Sequence, residues 1–450
     1  MTPQANFMVL APIDPVRRTE LEQLLDSMNN GPGQVNADNS LIPFTQFHTL
    51  HFARLVILND GTLTDTRAHG GGPVPTYPLY LAFLGDIDGE VDSFFKELAR
   101  RAGNGLRRIF SCCEGFTAGP DLVTWMKAHE APAIAAYVNW RGRTVLQIHE
   151  EAALREALLN YLGTNASEFR DLPPRETHRR LRQFVDAELS SGRLKLTPEA
   201  ATPIIWWIGN TLHLVGVPLL VLSLLVVLLV LLPLRLWWLL PLPVLVALII
   251  YFLCLRRHEK TDPELCWRVN QDYSDRLSDA EDRYVTNQFN AMGSVKPGLV
   301  RRLTLSGVLI TVDYAARHFV RHGRLGRIRT IHFARWVFLD DKKRMVFFSN
   351  YDGTVESYMD DFINKTGFGL NAVFSAGIGY PRTNWLVRAG CGDEQKYKDF
   401  LRRHTLPSQV WYKAYLGLTA IDLERNTRLR KGLELSSMSE QEAREWVALL

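Results

Sequence analysis

Hydrophobic positions along the chain follow three patterns. Residues 6–13, 51–58 and 80–87 alternate or run apolar, rich in branched and aromatic side chains, and predict strands. Between them, apolar residues recur at helical spacing: Leu21, Leu24, Leu25 and Met28 within residues 15–29, then Val91, Phe94, Phe95, Leu98 and Ala99 after Asp88-Gly89. The latter is the i, i+3, i+4, i+7, i+8 stripe of a helix lying on a sheet. A strand at 106–112, a helix near 122–129 and a strand at 133–139 are expected next. The third pattern is residues 214–255, nearly pure hydrocarbon, in two runs of about 20 residues separated by Arg235. Each is long enough to cross a bilayer, so two crossings or a re-entrant hairpin are both open. Pro233, Arg235, Pro241 and Pro243 mark the turn, and Trp206, Trp207, Trp237 and Trp238 stand at interface positions. A buried soluble hairpin is the competing reading, disfavoured by so long a run almost without charge.

The pattern on either side of this run is a duplication. HFARLVIL from His51 matches HFARWVFL from His332. FLGDIDGEVDSFF matches FFSNYDGTVESYM, setting Asp88-Gly89 against Asp352-Gly353. GLRRIFSCCEG matches GLNAVFSAGIG, and HEAPAIAAYVNWRG matches HTLPSQVWYKAYLG, pairing His129 with His404 and Tyr137 with Tyr412. The helical stripe recurs as Val355, Tyr358, Met359, Phe362 and Ile363. A Gly-rich insert at residues 60–76 belongs to the first copy alone. Matched segments in the same order are the signature of internal repetition.

The element order is β-α-β-β-α-β with an α-β appended, twice. It predicts an α+β fold of two ferredoxin-like repeats forming an intramolecular pseudo-dimer, separated by a hydrophobic membrane hairpin. The expected units are residues 1–162 (first repeat), 163–203 (basic helical connector), 204–257 (hairpin), 258–286 (charged connector), 287–435 (second repeat) and 436–450 (C-terminal helix). Residues 299–320 take the place of the second copy's first helix. Apolar in the middle and basic at both ends, with Arg301, Arg302, Arg317, Arg321 and Arg324, they read either as a helix lying against the bilayer or as an ordinary packed helix.

Charge sharpens the topology. The net charge of +4 over 450 residues gives no reason to expect nucleic acid. Basic residues gather before the hairpin (Arg175, Arg179, Arg180, Arg182, Arg193, Lys195) and after it (Arg256, Arg257, His258, Lys260). Such flanks stay in the cytoplasm, and a hairpin returns the chain to its starting side. Both soluble parts are therefore expected on the cytoplasmic face of a cell inner membrane or another membrane, with membrane lipids as partners and homo-oligomerisation left open. The start of the chain reads as a strand, not a secretory signal. The five cysteines include no CxxC pair, which fits a reducing compartment and argues against zinc. Walker, GxGxxG, HExxH and GxSxG patterns do not occur.

Candidate chemistry lies in the repeated polar residues. His51 and His332 open matched strands, each followed three residues on by Arg54 or Arg335. Strand alternation puts His and Arg on opposite faces unless a bulge intervenes. The histidines suit metal or haem ligation or acid–base work, and the arginines suit a carboxylate or developing negative charge. The structural alternative has His holding the strand start and Arg paired with the Asp-Gly carboxylate. Asp88 and Asp352 are placed to cap the helix that follows them. His129 and His404 are ligand candidates if they point inward. Trp336, Tyr351, Tyr358, Tyr380, Trp385, Trp411, Tyr412 and Tyr415 of the second copy line an apolar pocket or fill a core. The vicinal Cys112-Cys113 pair reads as packing.

This layout resembles the dimeric α/β-barrel superfamily, which includes dye-decolourising peroxidases and chlorite dismutases. GDIDG at residues 85–89 matches the peroxidases' GxxDG spelling, and SNYDG in the second copy lacks its first glycine. The segment IHFARW, Ile331 to Trp336, also resembles bacterial proteins that carry it. The superfamily resemblance implies haem on a sheet face with a proximal histidine. Two functions follow as expectations. One is a membrane-anchored, haem-dependent, peroxidase-like oxidoreductase acting on an apolar or lipid-derived small molecule. It would use His332, His404 or His51 as ligand, with Arg335, Arg54, Asp352 and Asp88 on the peroxide side. The other is a non-catalytic lipid-binding or scaffold protein using the same aromatic residues.

Overall fold

The computed structural model describes residues 1–450 except 118, 120, 231–240, 266, 321–324 and 326. Of the expected turn, Pro233 and Arg235 lie outside the described residues, as do Trp237, Trp238, Arg321, Arg324 and Cys266, whereas Pro241 and Pro243 stand in the first turn of a helix that runs Pro241–Thr261.

Leaving short turns aside, the first copy runs β1 (Gln4–Pro12), α1 (Arg18–Asp26), β2 (Leu50–Leu58), α2 (Thr64–Gly70, in the insert), β3 (Tyr80–Asp88), α3 (Val91–Phe110), α4 (Leu122–Ala128), β4 (Ala135–Val138) and α5 (Val145–Thr164). Then come α6 (Pro174–Ser190), α7 (Ile204–Val230), α8 (Pro241–Thr261) and α9 (Gln271–Ser278). The second copy runs β5 (Thr286–Ser294), α10 (Leu299–His318), β6 (Ile331–Leu339), β7 (Arg344–Asp352), α11 (Val355–Phe374), α12 (Glu394–His404), β8 (Val410–Lys413) and α13 (Ala420–Glu434), with α14 (Glu440–Val447) at the end. The strand expected at 106–112 is instead the end of α3. Leu98, Ala102, Leu106 and Ile109 keep the helical stripe and are all buried. A run of five apolar or small residues there spells strand only when its neighbours are ignored.

Two four-stranded antiparallel sheets form, in the orders β1-β3-β2-β8 and β4-β6-β7-β5. Each takes three strands from one copy and its fourth from the other. β8 of the second copy pairs with β2 (Trp411 opposite Arg54), and β4 of the first pairs with β6 (Ala136 opposite Arg335). The exchanged strands also touch their own sheets first. Leu10 N–H donates to His129 O at 2.8 Å and Ala131 N–H to Met8 O at 2.8 Å, before the chain crosses as β4. Likewise Leu406 N–H donates to Asn290 O at 2.7 Å before β8. Backbone hydrogen bonding thus links the two sheets along both edges.

Strand alternation sorts the side chains. Leu55, Ile57 and Phe83 face outward under α1, α3 and α4, and Trp336 and Phe347 face outward under α10, α11 and α12. Val56, Leu58, Leu84, Val337, Val346 and Phe348 meet between the sheets. A further layer joins α5, α6, α13 and α14 around Leu154, Leu158, Leu181, Leu429 and Trp446, so the basic connector and the C-terminal helix pack as one unit.

The window Ile204–Leu224 in α7 is apolar and long enough to cross a membrane, and none of it is buried. α7 and α8 both rest on α10. Arg317 Nε donates to Asn210 Oδ1 at 2.9 Å, Tyr314 OH to Leu214 O at 2.7 Å, and His213 and His318 share a 2.8 Å contact. Near the other end of α10, Tyr251 OH lies 2.8 Å from Thr304 Oγ1. The foot of α8 is tied into the second copy by Glu259, which accepts from Thr383, Trp385 N–H and Leu386 N–H.

Candidate functional site

The repeated polar residues converge at one end of the space between the sheets. Each His begins its strand at a register shift, between Leu50 and Phe52 in β2 and between Ile331 and Phe333 in β6. Leu50 and Ile331 face the outer helices. The bulge then turns both His51 and Phe52, and both His332 and Phe333, inward. His and Arg therefore share the interior, because the bulge cancels the alternation that would have separated them. The ring of His51 lies 5.4 Å from that of Phe333, and Phe52 lies 5.4 Å from His332, which places both histidines around the axis relating the copies.

Each His is locked to its Asp-Gly carboxylate. His51 Nε2 is 2.9 Å from Asp88 Oδ1 and His332 Nε2 is 2.7 Å from Asp352 Oδ1. The other oxygen of each carboxylate accepts the first N–H of a later helix: Val145 N–H of α5 at 2.9 Å, Ala420 N–H of α13 at 2.7 Å. The Asp is thus an N-terminal anchor, but for a different helix from the expected one. α3 has Glu90 at its N-cap with no side-chain cap bond, and α11 is capped by Thr354. The positive end of a helix dipole on one side and the imidazole on the other account for a carboxylate so deeply buried. Gly89 and Gly353 follow at φ +88°, a turn that glycine makes without strain.

The arginines do not pair with those carboxylates. Each crosses to the other copy. Arg335 donates to Phe7 O at 2.7 Å, to Gly85 O at 3.0 Å and to the Asp86 carboxylate. Arg54 donates to the matched carbonyls, Phe289 O at 3.3 Å and Ser349 O at 3.1 Å, and to Asn290 Oδ1 at 2.6 Å. Asp86 is the carboxylate between the two guanidiniums. Its partner across the axis, Asn350, donates to it at 3.1 Å. Arg54 stacks on Trp411 at 4.7 Å, and burial pulls its pKa down to about 9.

His129 and His404 end α4 and α12. Their Nδ1 atoms lie 2.9 Å and 2.7 Å from the carbonyls of Trp125 and Phe400, one helical turn back. The Cδ2–Nε2 edge of His404 lies against Gly293, so close that a Cβ there would sit 2.6 Å from Cδ2. Among the expected aromatic residues, Tyr351 stacks on Tyr358 at 3.9 Å, Trp411 on Phe52 at 5.5 Å, and Trp336 lies 4.7 Å from Phe347. They fill core. Cys112, Cys113 and Cys391 are buried free thiols, and burial pushes Cys113 up to about 12.

No family model, curated protein or solved structure matches this chain.

The residues expected to hold a haem do not fit one. His51 and His332 are 1% exposed, each with Nε2 engaged by a carboxylate and its ring packed among Phe52, Phe333 and Tyr415. His404 has one nitrogen on a carbonyl and its opposite edge on a strand backbone. Among the described residues no group of three or more His, Cys, Asp or Glu could hold a metal ion. Sequence reasoning missed Asp86 and Lys413. The signal was present, since each is a charged residue on an interior position of an apolar strand.

Proposed function

We propose that the chain is a non-catalytic, membrane-anchored scaffold. Its apolar arms α7 and α8 enter a bilayer from the cytoplasmic side, and membrane lipid is their partner. The observation that carries this is that the arms expose hydrocarbon, including Leu219, Leu222, Leu245 and Leu253, while polar contacts pin them to α10. A helix pair held rigidly outside a folded core, with its apolar face in solvent, is otherwise unstable. α10 lies in the interface as a crossbar, with Leu299, Leu303 and Ile310 turned outward. The basic residues of α6 and of the foot of α8 favour an anionic leaflet.

The core is proposed as two ferredoxin-like units in a dimeric α/β-barrel arrangement. The repeated β-α-β-β-α-β order and the exchanged strands support that reading. The peroxidase-like alternative draws no support from the histidines, whose nitrogens hold the fold. Two measurements test the proposal. Alkaline carbonate is expected to leave the protein in the membrane pellet, and release without detergent overturns the anchoring. Protein purified from haem-supplied cells is expected to show no Soret band. A Soret band lost in His332→Ala or His404→Ala overturns the non-catalytic reading.

A further inference from the structure

The second copy carries a segment that the first lacks. Between Gly379 and Asp393 the chain makes a short hairpin, in which Thr383 pairs with Ala389 and Asn384 with Arg388. The matched span of the first copy, Gly115 to Asp121, is less than half as long. The hairpin is tied down on two sides. Asn371 of α11 donates to Val387 O at 3.1 Å and to Ala389 O at 2.9 Å. Glu259, near the end of α8, accepts from Thr383 Oγ1 and the Trp385 N–H at 2.9 Å and from the Leu386 N–H at 2.7 Å, and it also holds Arg256 at 2.9 Å. Trp385 and Leu386 turn at φ 54° and 67°, left-handed conformations that bulky residues rarely adopt. The Glu259 carboxylate, accepting both of their N–H groups, holds them there.

What this bracket presents to the outside is apolar. Trp385 is 46% exposed and Val387 41%, and Phe368, one helical turn before Asn371 on α11, is 68% exposed. Their level is set by α8. Its apolar run ends at Leu255, and Arg256 is the first charge after it. The Arg256 guanidinium lies 5.8 Å from the centre of the Trp385 ring. Trp385 therefore stands beside the arm where hydrocarbon gives way to charge, the depth that indole rings prefer at a bilayer surface. Arg257 at the foot of α8 and Arg388 on the hairpin are exposed and form no ion pair among the described residues.

We propose that the hairpin is a second membrane contact. Trp385, Val387 and Phe368 rest in the headgroup–acyl boundary next to α8, and Arg257 and Arg388 hold anionic headgroups. This inference rests on the reading of α7 and α8 as membrane arms. A bilayer that surrounds α8 as far as Leu255 reaches the patch without any further partner. The contact makes the second copy the membrane-facing half and fixes the depth at which α8 leaves the bilayer.

The test is photocrosslinking of the full chain in vesicles of phosphatidylcholine and phosphatidylglycerol. Benzoylphenylalanine is placed in turn at Trp385, Val387, Leu222 and Val16, and the adducts are read by mass spectrometry. Leu222 reports the arms. Val16, 90% exposed just ahead of α1 in the helical layer over the first sheet, reports solvent. Lipid adducts are expected at positions 385 and 387 at about the level found at 222, richer in phosphatidylglycerol than those at 222, and none at 16. Lipid at 222 with none at 385 and 387, or protein adducts there in place of lipid, overturns the hairpin contact and leaves the arms standing. As much lipid at 16 as at 385 overturns it too. No lipid at any position overturns the anchoring itself, and the hairpin contact with it. The same lipid composition at 385 as at 222 overturns the role given to Arg257 and Arg388.

Discussion

Replacing Asp86 by asparagine removes one negative charge from between the sheets and alters shape almost not at all. In the native protein Asp86 stands between two guanidiniums that are each 3% exposed, those of Arg54 and Arg335. It bonds directly to Arg335 and also draws the charge of Arg54. Without it, two buried cations face one another with carbonyls, amides and the Trp411 ring around them and no carboxylate between them. Removing one partner from a buried pair typically costs about 3–5 kcal/mol, a large share of the roughly 5–15 kcal/mol that holds a domain folded. Arg54→Met tests the cause. Alone it leaves Asn290 Oδ1 without a donor, at about 1–3 kcal/mol. Combined with Asp86→Asn it also removes one of the two repelling charges. The double variant is therefore expected to be more stable than the sum of the singles by about 1–2 kcal/mol. Urea unfolding in mild detergent, followed by tryptophan fluorescence, measures all four corners of the cycle. An Asp86→Asn protein within about 1 kcal/mol of wild type, or strictly additive changes, refutes this account.

Three further outcomes follow from contacts described above. Asp88→Ala and Asp352→Ala each remove a His partner and a helix anchor, so both are expected to destabilise by a similar ~3 kcal/mol or more in chemical denaturation. A large loss in one and none in the other contradicts the matched locks. Lys413 donates to Thr286 O at 3.1 Å and lies over the Tyr284 ring at 3.9 Å, and burial lowers its pKa to about 7. The folded pKa is below the unfolded one, so the penalty for burying the cation is full below pH 7 and is relieved as pH rises toward the ordinary lysine range. Lys413→Met is expected to be the more stable protein at pH 6, by on the order of a few kcal/mol, with the gap closing by about pH 10. A gap independent of pH excludes this titration. Arg317→Ala cuts the bond from α10 to Asn210, and is expected to speed proteolysis in α7 while leaving the melting of the core unchanged.

Much of the architecture is legible in the residues. The duplication is visible because matched segments recur in order, and the apolar arms because few charges interrupt them. The helical stripe at Val91, Phe94, Phe95 and Leu98 is legible because it is long. The end of α3 is not, since Ile109-Phe110 reads locally like a strand. Strand exchange is invisible for another reason: VWYK carries the same alternation whichever sheet it joins, and only the complete chain decides that β8 lies beside β2. The site residues were partly legible. Their repetition marks His51, Arg54, Asp88 and their counterparts as important, but the face on which His51 lies depends on a one-residue bulge that no periodicity announces. The committed partners of these residues could not be read at all, because each bonds across to a segment tens to hundreds of positions away.

The reciprocal exchange also sets a timetable for synthesis. The first sheet opens at Gln4 and receives its last strand only at Lys413. While the ribosome is making everything between, including both apolar arms, β2 of the nascent first half has a bare edge of backbone donors and acceptors awaiting β8. The arms therefore emerge before either half is complete, and the newborn chain must keep an unpaired strand from aggregating until Val410–Lys413 is translated. Emergence of the arms comes first, and closure of the fold second.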